Sequence, residues 1–279
     1  MSARLLLEKA TATLEAAGVA SARNDAELLL SHVTGVPRAL LTLTARPDDV
    51  QRRSYLDLVD ARARRIPLQH LTGSASFRYV DLEVGPGVFV PRPETELLAG
   101  WAIGAARASG VDAPVVVDLC TGSGAIALSV VHEFPTARVH AVELDEKAFD
   151  WARLNLGGTG VDLRQGDMAG AFGDLDGTVD VVVSNPPYIP LDAWESVTPE
   201  VRDHDPSLAL WSGDDGLDAM RVLEDVAWRL LKPGGVVGAE HAEVQHVSVV
   251  GVFAERWSQV HDHDDLAGKP RYVTARKPG

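Results

Sequence analysis

The sequence has 279 residues, of which 46% are apolar and 24% charged, as in globular proteins that fold around a core. Its formal net charge of −14 argues against a protein that holds nucleic acid through the phosphate backbone, because that needs a basic surface. No run of about eighteen apolar residues predicts a membrane span, and the first residues lack a signal-peptide pattern. Cys120 is the single cysteine, so no intrachain disulfide can form, and a cytoplasmic location is expected.

The first quarter of the sequence carries the leucine spacing and the end signals of short helices. One helix is predicted to begin at Asn24, with Glu27 completing a capping box, and to close at Gly35. The next opens with aspartates, ends in arginines that suit the helix dipole, and is stopped by Pro67. Residues 1–74 are therefore expected to form a small helical domain, with partner docking as its role.

Residues 75–92 are predicted to form a linking β-hairpin. Apolar side chains alternate roughly with polar ones, the "GPG" of residues 85–87 turns the chain, and "VFV" continues as a strand. After "PRP" a helix is predicted to start at Pro93, with Glu94 and Glu96 in its first turn. The alternating residues are Phe77, Tyr79, Leu82 and Val84.

From Pro114 onward, short apolar strands alternate with helices, as in a parallel sheet covered on both faces. Residues 93–279 are therefore predicted to form a Rossmann-like α/β domain. "KPGG" is expected to be a turn, and "SQVHDHDD" and "RYVTAR" to be a final pair of strands. His261 and His263 lack a defined ligand spacing, so a solvated segment is favoured there and no metal is expected.

"VVVDLCTGSGAIAL" places two glycines, Gly122 and Gly124, between a predicted strand and a helix. Glycines let the backbone turn tightly and let a ligand approach the main chain. Glu143 follows at the end of the next strand, where a carboxylate can accept from both ribose hydroxyls of an adenosine. Ala127 replaces the third glycine of the dinucleotide pattern and no P-loop lysine follows, which favours a ligand without phosphates, S-adenosylmethionine. The alternative is a capping turn and an ordinary surface acid.

Further residues of this region are candidates for the same cofactor. Asp167 could hold the adenine amine, with Met168 against the ring, although a strand-end turn acid is the alternative. Asp118 is expected to be structural or near the methionine part, and Cys120 to be a small buried apolar residue. Arg92 and Glu94 could line the pocket, but a hinge with a helix start explains their neighbouring prolines equally well. The residues predicted to bind the cofactor are Cys120, Thr121, Gly122, Ser123, Gly124, Glu143, Asp167, Met168 and Asn185.

"SNPPYIP" follows a strong apolar strand, so its loop opens at the carboxyl edge of the sheet, where ligands bind. Asn185 offers a side-chain carbonyl and Pro186 a backbone carbonyl, and the paired prolines, Pro186 and Pro187, hold both acceptors rigidly. Tyr188 offers a flat face for a planar group. Two acceptors aimed at one point suit an NH₂ group, whose lone pair they direct at an electrophile, so Asn185, Pro186 and Tyr188 are the catalytic candidates. A structural turn is the alternative.

These motifs together resemble the HemK/PrmC protein-glutamine methyltransferases. The matching stretches are "PLQHLTGSASF", "VFVPRPETE", "DLCTGSGAIAL", "AVELDEKAFDWARLN", "SNPPYIP", "DPSLALWSGDDGLDAMR" and "DLAGKPRYVTAR". The resemblance implies methylation of the glutamine in the Gly-Gly-Gln loop of bacterial release factors, with S-adenosylmethionine as donor. It implies that residues 120–124 and Glu143 hold the cofactor, Met168 lies beside the adenine, residues 185–188 hold the glutamine amide, and the helical domain engages the release factor.

Two other functions remain open from the residues alone. An adenine-amine methyltransferase of DNA or RNA would use the same loop, although the acidic charge argues against it. A non-catalytic adenosine-binding module would have the glycine loop without organised amide acceptors. A monomer is expected, because no heptad pattern or apolar strip is left over.

Overall fold

The computed structural model describes residues 2–279, apart from the side chain of residue 196. The chain divides into two compact units. The first holds the chain up to Ser74 together with Thr198–His204, and the second holds Ala75–Val197 and Asp205–Gly279. The sequence did not predict that a short segment from far along the chain belongs to the helical unit.

The first unit is mainly helical. Its core is formed by leucines at helical spacing on α1 and α2, with Tyr55 of α4 buried among them. The Tyr55 hydroxyl donates to the carbonyl oxygen of Ala26, which satisfies its one polar atom in the core. Its helices are α1 (Ala3–Ala16), α2 (Ala22–Thr34), α3 (Leu41–Thr44), α4 (Asp49–Ala63), α5 (Leu68–Thr72) and, from the later segment, α9 (Pro199–His204).

Two predicted helix ends in this unit are wrong. Helix α2 begins at Ala22 rather than at Asn24, so Ala22 and Arg23 already belong to its first turn. The same turn carries the buried Asp25, whose Oδ2 accepts a hydrogen bond of 2.8 Å from Arg62. Helix α4 ends before Pro67 is reached, because Arg65 takes a left-handed conformation with φ of 70°. The proline instead precedes the first residue of α5. The end of α2 at Gly35 is confirmed by a left-handed φ of 66°.

The second unit is built on a seven-stranded sheet in the order β5-β4-β3-β6-β7-β9-β8. Strands β3 to β7 run parallel, and β9 pairs antiparallel with β7 and β8. This confirms the predicted Rossmann-like α/β fold. The strands are β1 (Ser74–Phe77), β2 (Val80–Glu83), β3 (Val115–Leu119), β4 (Arg138–Glu143), β5 (Asp162–Gln165), β6 (Val179–Ser184), β7 (Leu231–Glu240), β8 (Ser258–Asp264) and β9 (Pro270–Arg276). The helices are α6 (Thr95–Ala108), α7 (Ala125–Glu133), α8 (Glu146–Leu156), α10 (Asp218–Leu230) and α11 (His246–Phe253).

The two faces of the sheet carry two separate cores. Successive valines of β6 point to opposite faces, so that Val181 and Val183 pack with α6 and α7 while Val182 packs with α10 and α11. Every residue of β3 and β6 is buried, which explains why these strands are apolar at every position except Asp118, Asp180 and Ser184.

Three local predictions in this unit are wrong. The hairpin of β1 and β2 turns at Arg78 and Tyr79, where Arg78 has a φ of 51°, and "GPG" comes after β2. Helix α6 begins at Thr95 rather than at Pro93, with Glu94 at its cap position. "KPGG" is a bulge within β7 rather than a separate turn, since Leu231 pairs with Val179 and Val236 with Val181, while the four residues between them have no register partner on β6.

The order of the strands fixes where a ligand can bind. From β3 the chain moves outward through β4 to β5, and it then returns to place β6 on the other side of β3. The carboxyl ends of β3 and β6 therefore lie side by side at a topological switch point. Leu119 and Ser184 are register partners at these two ends.

Candidate active site

The glycine loop leaves β3 through three residues with positive φ. Cys120, Gly122 and Gly124 have φ values of 57°, 59° and 86°. Asp118 lies beneath the loop, and its Oδ2 accepts hydrogen bonds from the Thr121 hydroxyl at 2.5 Å and the Ala127 amide at 3.2 Å. Burial raises the pKa of Asp118 to about 7 despite these two bonds. A structural role for Asp118 was predicted from the sequence, and its position beneath the loop agrees with that prediction.

The two glycines of the loop are required for different reasons. A Cβ atom on Gly124 would lie 3.0 Å from Cγ of Leu156, so this glycine allows α7 to pack closely against α8. A Cβ atom on Gly122 would meet no atom within 4 Å among the described residues. Gly122 therefore keeps open the space above the loop, as the approach of a ligand to the main chain requires.

Glu143 at the end of β4 lies against this loop. Its Oε2 accepts from the Gly122 amide at 2.8 Å and its Oε1 from the Asp145 amide at 2.9 Å. Burial raises the pKa of Glu143, while these backbone hydrogen bonds oppose the rise. Each carboxylate oxygen can accept a second hydrogen bond, so the pair remains able to receive two hydroxyls of a ligand.

The end of β5 brings two more predicted residues to the same edge. The Gly166 amide donates to the Glu143 carbonyl at 2.9 Å, which places Asp167 and Met168 next to the glycine loop. Met168 Sδ lies 3.6 Å from Sγ of Cys120. Asp167 is exposed, and its carboxylate caps the following turn through the Ala169 amide at 2.9 Å. Cys120 is only partly buried, against the expectation of a buried apolar residue.

The residues around the loop fit S-adenosylmethionine. Two carboxylates, Asp118 and Glu143, lie below and beside open main chain, and Oδ1 of Asp118 is buried with no donor among residues 2–279. A buried acceptor of this kind favours a ligand that carries a hydrogen-bond donor or a positive charge. The methionine ammonium, the ribose hydroxyls and the adenine amine of the cofactor are donors of this type.

The acceptor loop, residues 185–188, follows β6 and is held by an internal hydrogen-bond network. Asn185 Nδ2 donates to Oγ1 of Thr95 at 3.2 Å, and Thr95 donates to Oε2 of Glu240 at 2.6 Å. The Tyr188 hydroxyl donates to Oε1 of the same glutamate at 3.2 Å. Glu240 is completely buried, and one carboxylate thus connects both ends of the acceptor loop.

The backbone of the acceptor loop is also fixed. Gln245 Nε2 donates to the Tyr188 carbonyl at 2.9 Å. The Ile189 amide donates to the Leu210 carbonyl at 2.8 Å, and the Ser212 amide returns a bond to Ile189 at 3.0 Å. The loop is therefore held from both sides as well as by its two prolines.

Two acceptors of this loop remain available for a ligand. Within the part of the chain that the structure describes, neither Oδ1 of Asn185 nor the carbonyl oxygen of Pro186 receives a hydrogen bond. Asn185 and Tyr188 are half-buried, and Pro187 likewise, so the loop borders solvent while Pro186 itself is buried. The two acceptors stand at the same sheet edge as the glycine loop.

Sequence reasoning missed Thr95, Glu240 and Gln245. Thr95 lies within the quoted stretch "PRPETE", but the hydroxyl was not singled out. Glu240 ends β7, the neighbour of β6, and a carboxylate at that edge was a signal that could have found it.

Arg92 was a candidate for lining the cofactor pocket. In the structure its guanidinium donates to the buried carboxylate of Asp205 at 2.7 Å. Among the described residues, no group of three or more His, Cys, Asp or Glu side chains could hold a metal ion.

Parts of both units match known protein families. A family model described as PrmC N-terminal domain matches residues 6–73, and one described as methyltransferase small domain matches residues 107–197. The release factor glutamine methyltransferase of Streptomyces coelicolor is 58% identical over 98% of this chain and 98% of its own. That of Mycolicibacterium smegmatis is 48% identical over 98% and 97%.

The chain belongs to the release factor glutamine methyltransferase family. This confirms the predicted family and the predicted enzyme class. The 4-amino-L-phenylalanine/4-methylamino-L-phenylalanine methyltransferase of Streptomyces pristinaespiralis is also similar, with 44% identity over 90% of this chain and 88% of its own. A solved methyltransferase from Pyrococcus furiosus shares the fold, with a TM-score of 0.52 and 20% identity over 79% of this chain and 99% of that one. No helix among residues 2–279 is both long and apolar enough to cross a membrane.

Proposed function

We infer that this enzyme transfers a methyl group from S-adenosylmethionine to the side-chain amide nitrogen of the glutamine in the Gly-Gly-Gln loop of bacterial peptide chain release factors. The observation that carries the inference is the pair of available acceptors, Oδ1 of Asn185 and the Pro186 carbonyl, beside the glycine loop. They occur in a chain 58% identical to a release factor glutamine methyltransferase.

The acceptor loop can compensate for the weak nucleophilicity of an amide nitrogen by positioning it. The nitrogen lone pair of a primary amide is delocalised into the carbonyl group, and its two hydrogens are both donors. Asn185 and Pro186 accept one hydrogen each, which holds the nitrogen in place and directs its lone pair at the methyl group. When bound, the cofactor would supply that methyl group on a positively charged sulfur, which would leave with the electrons of the sulfur–carbon bond. The substituted nitrogen then loses a proton to water.

Tyr188 contributes a flat surface to the same site. Burial raises the pKa of its hydroxyl far above the usual value, with the nearby Glu240 carboxylate adding to the rise, so the hydroxyl keeps its hydrogen and donates it. The bond to Glu240 fixes the ring, and the ring face can stack on the planar amide.

The cofactor is assigned to the residues at the edge of β3, β4 and β5. Glu143 would accept from the ribose hydroxyls, Asp167 from the adenine amine, and Met168 would lie against the adenine ring. The methionine and ribose side would be lined by Cys120, Thr121, Gly122, Ser123 and Gly124. Support comes from the open space above Gly122 and from the buried acceptor of Asp118.

The remaining parts of the proposal concern partners and location. The first helical unit, whose residues 6–73 match the PrmC N-terminal domain, would dock the release factor. The enzyme would act as a monomer, without nucleic acid as a substrate, in the cytoplasm where translation takes place. The net charge of −14 supports a protein substrate over a phosphate backbone.

The reaction can be tested directly against its rivals. The protein is incubated with methyl-labelled S-adenosylmethionine and, separately, with release factor, duplex DNA and free 4-amino-L-phenylalanine. The last arm is included because a 44% identical relative is named for that amine. One added methyl on the glutamine of the Gly-Gly-Gln peptide, found by mass spectrometry, supports the proposal, and label in DNA or the free amino acid alone refutes it.

The variant Asn185→Ala separates catalysis from cofactor binding. It removes one of the two acceptors, so methyl transfer measured at saturating cofactor should fall by about 100-fold or more. Transfer at the wild-type rate would contradict the acceptor mechanism, even if the cofactor still bound.

A further inference from the structure

The contacts of Thr95 and Glu240 determine which way the Asn185 amide faces. Thr95 is the first residue of α6 and Glu240 the last of β7, and both side chains are buried. Their hydrogen bond is 2.6 Å long and joins residues 145 positions apart. Asn185 reaches the same Thr95 oxygen at 3.2 Å.

A hydroxyl group has a single hydrogen, and this limits the network to one direction. When Glu240 is ionised it can only accept, so Thr95 gives its hydrogen to the carboxylate. Oγ1 of Thr95 can then only accept from Asn185, which requires Nδ2 of the amide to face it. Oδ1 of Asn185 must consequently face away from Thr95, toward the site.

The opposite orientation would oppose binding of the substrate. A flipped Asn185 would present its own NH₂ group to the NH₂ group of the glutamine, and two donors cannot pair. An asparagine without a fixed neighbour can adopt either orientation, because its oxygen and nitrogen ends have the same shape. Tyr188 donates to the other oxygen of Glu240, so the same carboxylate also sets the aromatic ring.

We propose that Glu240 and Thr95 are positioning residues that hold the Asn185 amide with its oxygen toward the substrate nitrogen. This rests on the proposed function, since it assigns that oxygen to the glutamine NH₂ group. Both residues act through Asn185, and Glu240 also acts through Tyr188.

The protonation of Glu240 gives this arrangement a pH dependence. The groups that face it are Thr95 and Glu94 from the start of α6, Tyr188 from the acceptor loop and Arg271 from β9. Burial raises the pKa of Glu240 to about 7, and Glu94 adds to the rise, while Arg271 and the two hydrogen bonds oppose it. A protonated Glu240 can donate a hydrogen bond to Thr95, and Thr95 can then donate to Asn185, which allows the Asn185 amide to reverse. Loss of that proton restores the productive orientation, so activity should rise with pH through about 7.

Two substitutions at Thr95 test the role of the hydroxyl. Thr95→Val removes the hydroxyl and keeps the shape, whereas Thr95→Ser keeps the hydroxyl. We expect kcat toward release factor to fall about tenfold or more in Thr95→Val and to stay within about threefold in Thr95→Ser. Cofactor affinity, measured for both, should stay close to that of the wild type, while the thermal midpoint of Thr95→Val should fall because the buried Glu240 carboxylate and the Asn185 NH₂ group each lose a partner. Wild-type kcat in a folded Thr95→Val protein would overturn the proposal.

Glu240→Gln supplies a second and independent measurement. Its side chain does not titrate, so the rise of kcat/KM between pH 6 and 8 expected for the wild type should disappear. A Glu240→Gln profile identical in shape to that of the wild type would contradict the role of the carboxylate.

An observation independent of activity completes the test. The side-chain NH₂ of Asn185 is followed by ¹⁵N NMR, with its signals identified by their loss in Asn185→Asp. Its hydrogen exchange should be slow in the wild type and in Thr95→Ser and faster in Thr95→Val, and equal rates in all three would refute the orientation. If the wild type leaves release factor unmethylated, the proposed function fails, and the exchange rates still decide for or against the orientation.

Discussion

Ser184 donates a hydrogen bond of 2.6 Å to the carbonyl oxygen of Leu119, and so joins the last residue of β6 to the last residue of β3. The serine is completely buried. The glycine loop begins directly after Leu119 and the acceptor loop directly after Ser184. This bond therefore sets the spacing between the loop assigned to the cofactor and the loop assigned to the substrate amide.

Removing this bond should cost stability. Ser184→Ala leaves a buried carbonyl with one partner fewer, so the free energy of unfolding should fall by roughly 1–3 kcal/mol in urea titrations. Ser258→Ala is the matched control, because its hydroxyl donates to the Arg276 carbonyl at the surface, where a change within about 0.5 kcal/mol is expected. Equal losses in the two variants would contradict a special role for the buried bond.

The two glycines of the glycine loop should respond differently to alanine. Gly124→Ala combines a φ of 86° with a contact of 3.0 Å to Leu156, so unfolding free energy should fall by roughly 2–3 kcal/mol. In Gly122→Ala the positive φ of 59° is the one source of strain, so the free energy of unfolding should fall by about 1 kcal/mol. The added methyl group, however, enters the space assigned to the cofactor. The affinity of this variant for S-adenosylmethionine, measured by calorimetry, should therefore fall more than its stability suggests.

A third glycine provides the control for that pair. Gly104 is exposed in the interior of α6, and a Cβ atom there meets no atom within 4 Å among the described residues. Gly104→Ala should leave cofactor affinity unchanged and raise stability by about 0.5–1 kcal/mol. Lower cofactor affinity in Gly104→Ala would show that the effect of Gly122→Ala is not local.

Glu143 should be sensitive to loss of its charge alone. Its two carboxylate oxygens accept separate hydrogen bonds, one from the Gly122 amide and one from the Asp145 amide. A glutamine in either orientation would therefore place its NH₂ group against one of these N–H donors. Glu143→Gln should therefore weaken cofactor binding by about tenfold or more. Glu146→Gln, an exposed substitution in the first turn of α8, should change affinity by less than about twofold, and equal losses would contradict the assignment of Glu143.

Glu200 of α9 should make stability depend on pH. Burial raises its pKa, but hydrogen bonds from Arg65 and Arg62 outweigh this and bring the pKa to about 2, below the ordinary 4.5. Because the folded pKa is lowered, the stabilisation is fully present above pH 4.5 and is lost as the pH falls toward 2.

The variant Glu200→Gln measures this contribution. It should be less stable than the wild type by roughly 2–3 kcal/mol at pH 7, and the difference should shrink as the pH is lowered below 4.5. Glu8→Gln is the control, since Glu8 pairs with Arg4 at the surface and should change stability by no more than about 0.5 kcal/mol. A difference for Glu200→Gln that stays constant from pH 7 to pH 3 would be inconsistent with this role.

The sheet and the position of the site could be predicted because their signals are local. The strands β3 and β6 are mostly apolar, a glycine follows β3 within three residues, asparagine and proline follow β6 directly, and parallel strands bring those ends to one edge. The turn at Arg78 could not be predicted, because arginine gives no signal for a positive φ. Thr95 and Glu240 were missed because their contact depends on β7 lying next to β6 and on α6 lying nearby, which no single stretch of sequence specifies.

The membership of Thr198–His204 in the helical unit has a consequence for synthesis of the protein. The chain passes from one unit to the other after residues 74, 197 and 204, so the helical unit is discontinuous in sequence. Arg62, which is buried, obtains its second carboxylate from Glu200. Domains generally fold as units, with the N-terminal one first as it leaves the ribosome. Here the first unit cannot acquire its full set of ion pairs until residue 204 has emerged, when much of the sheet has already been made.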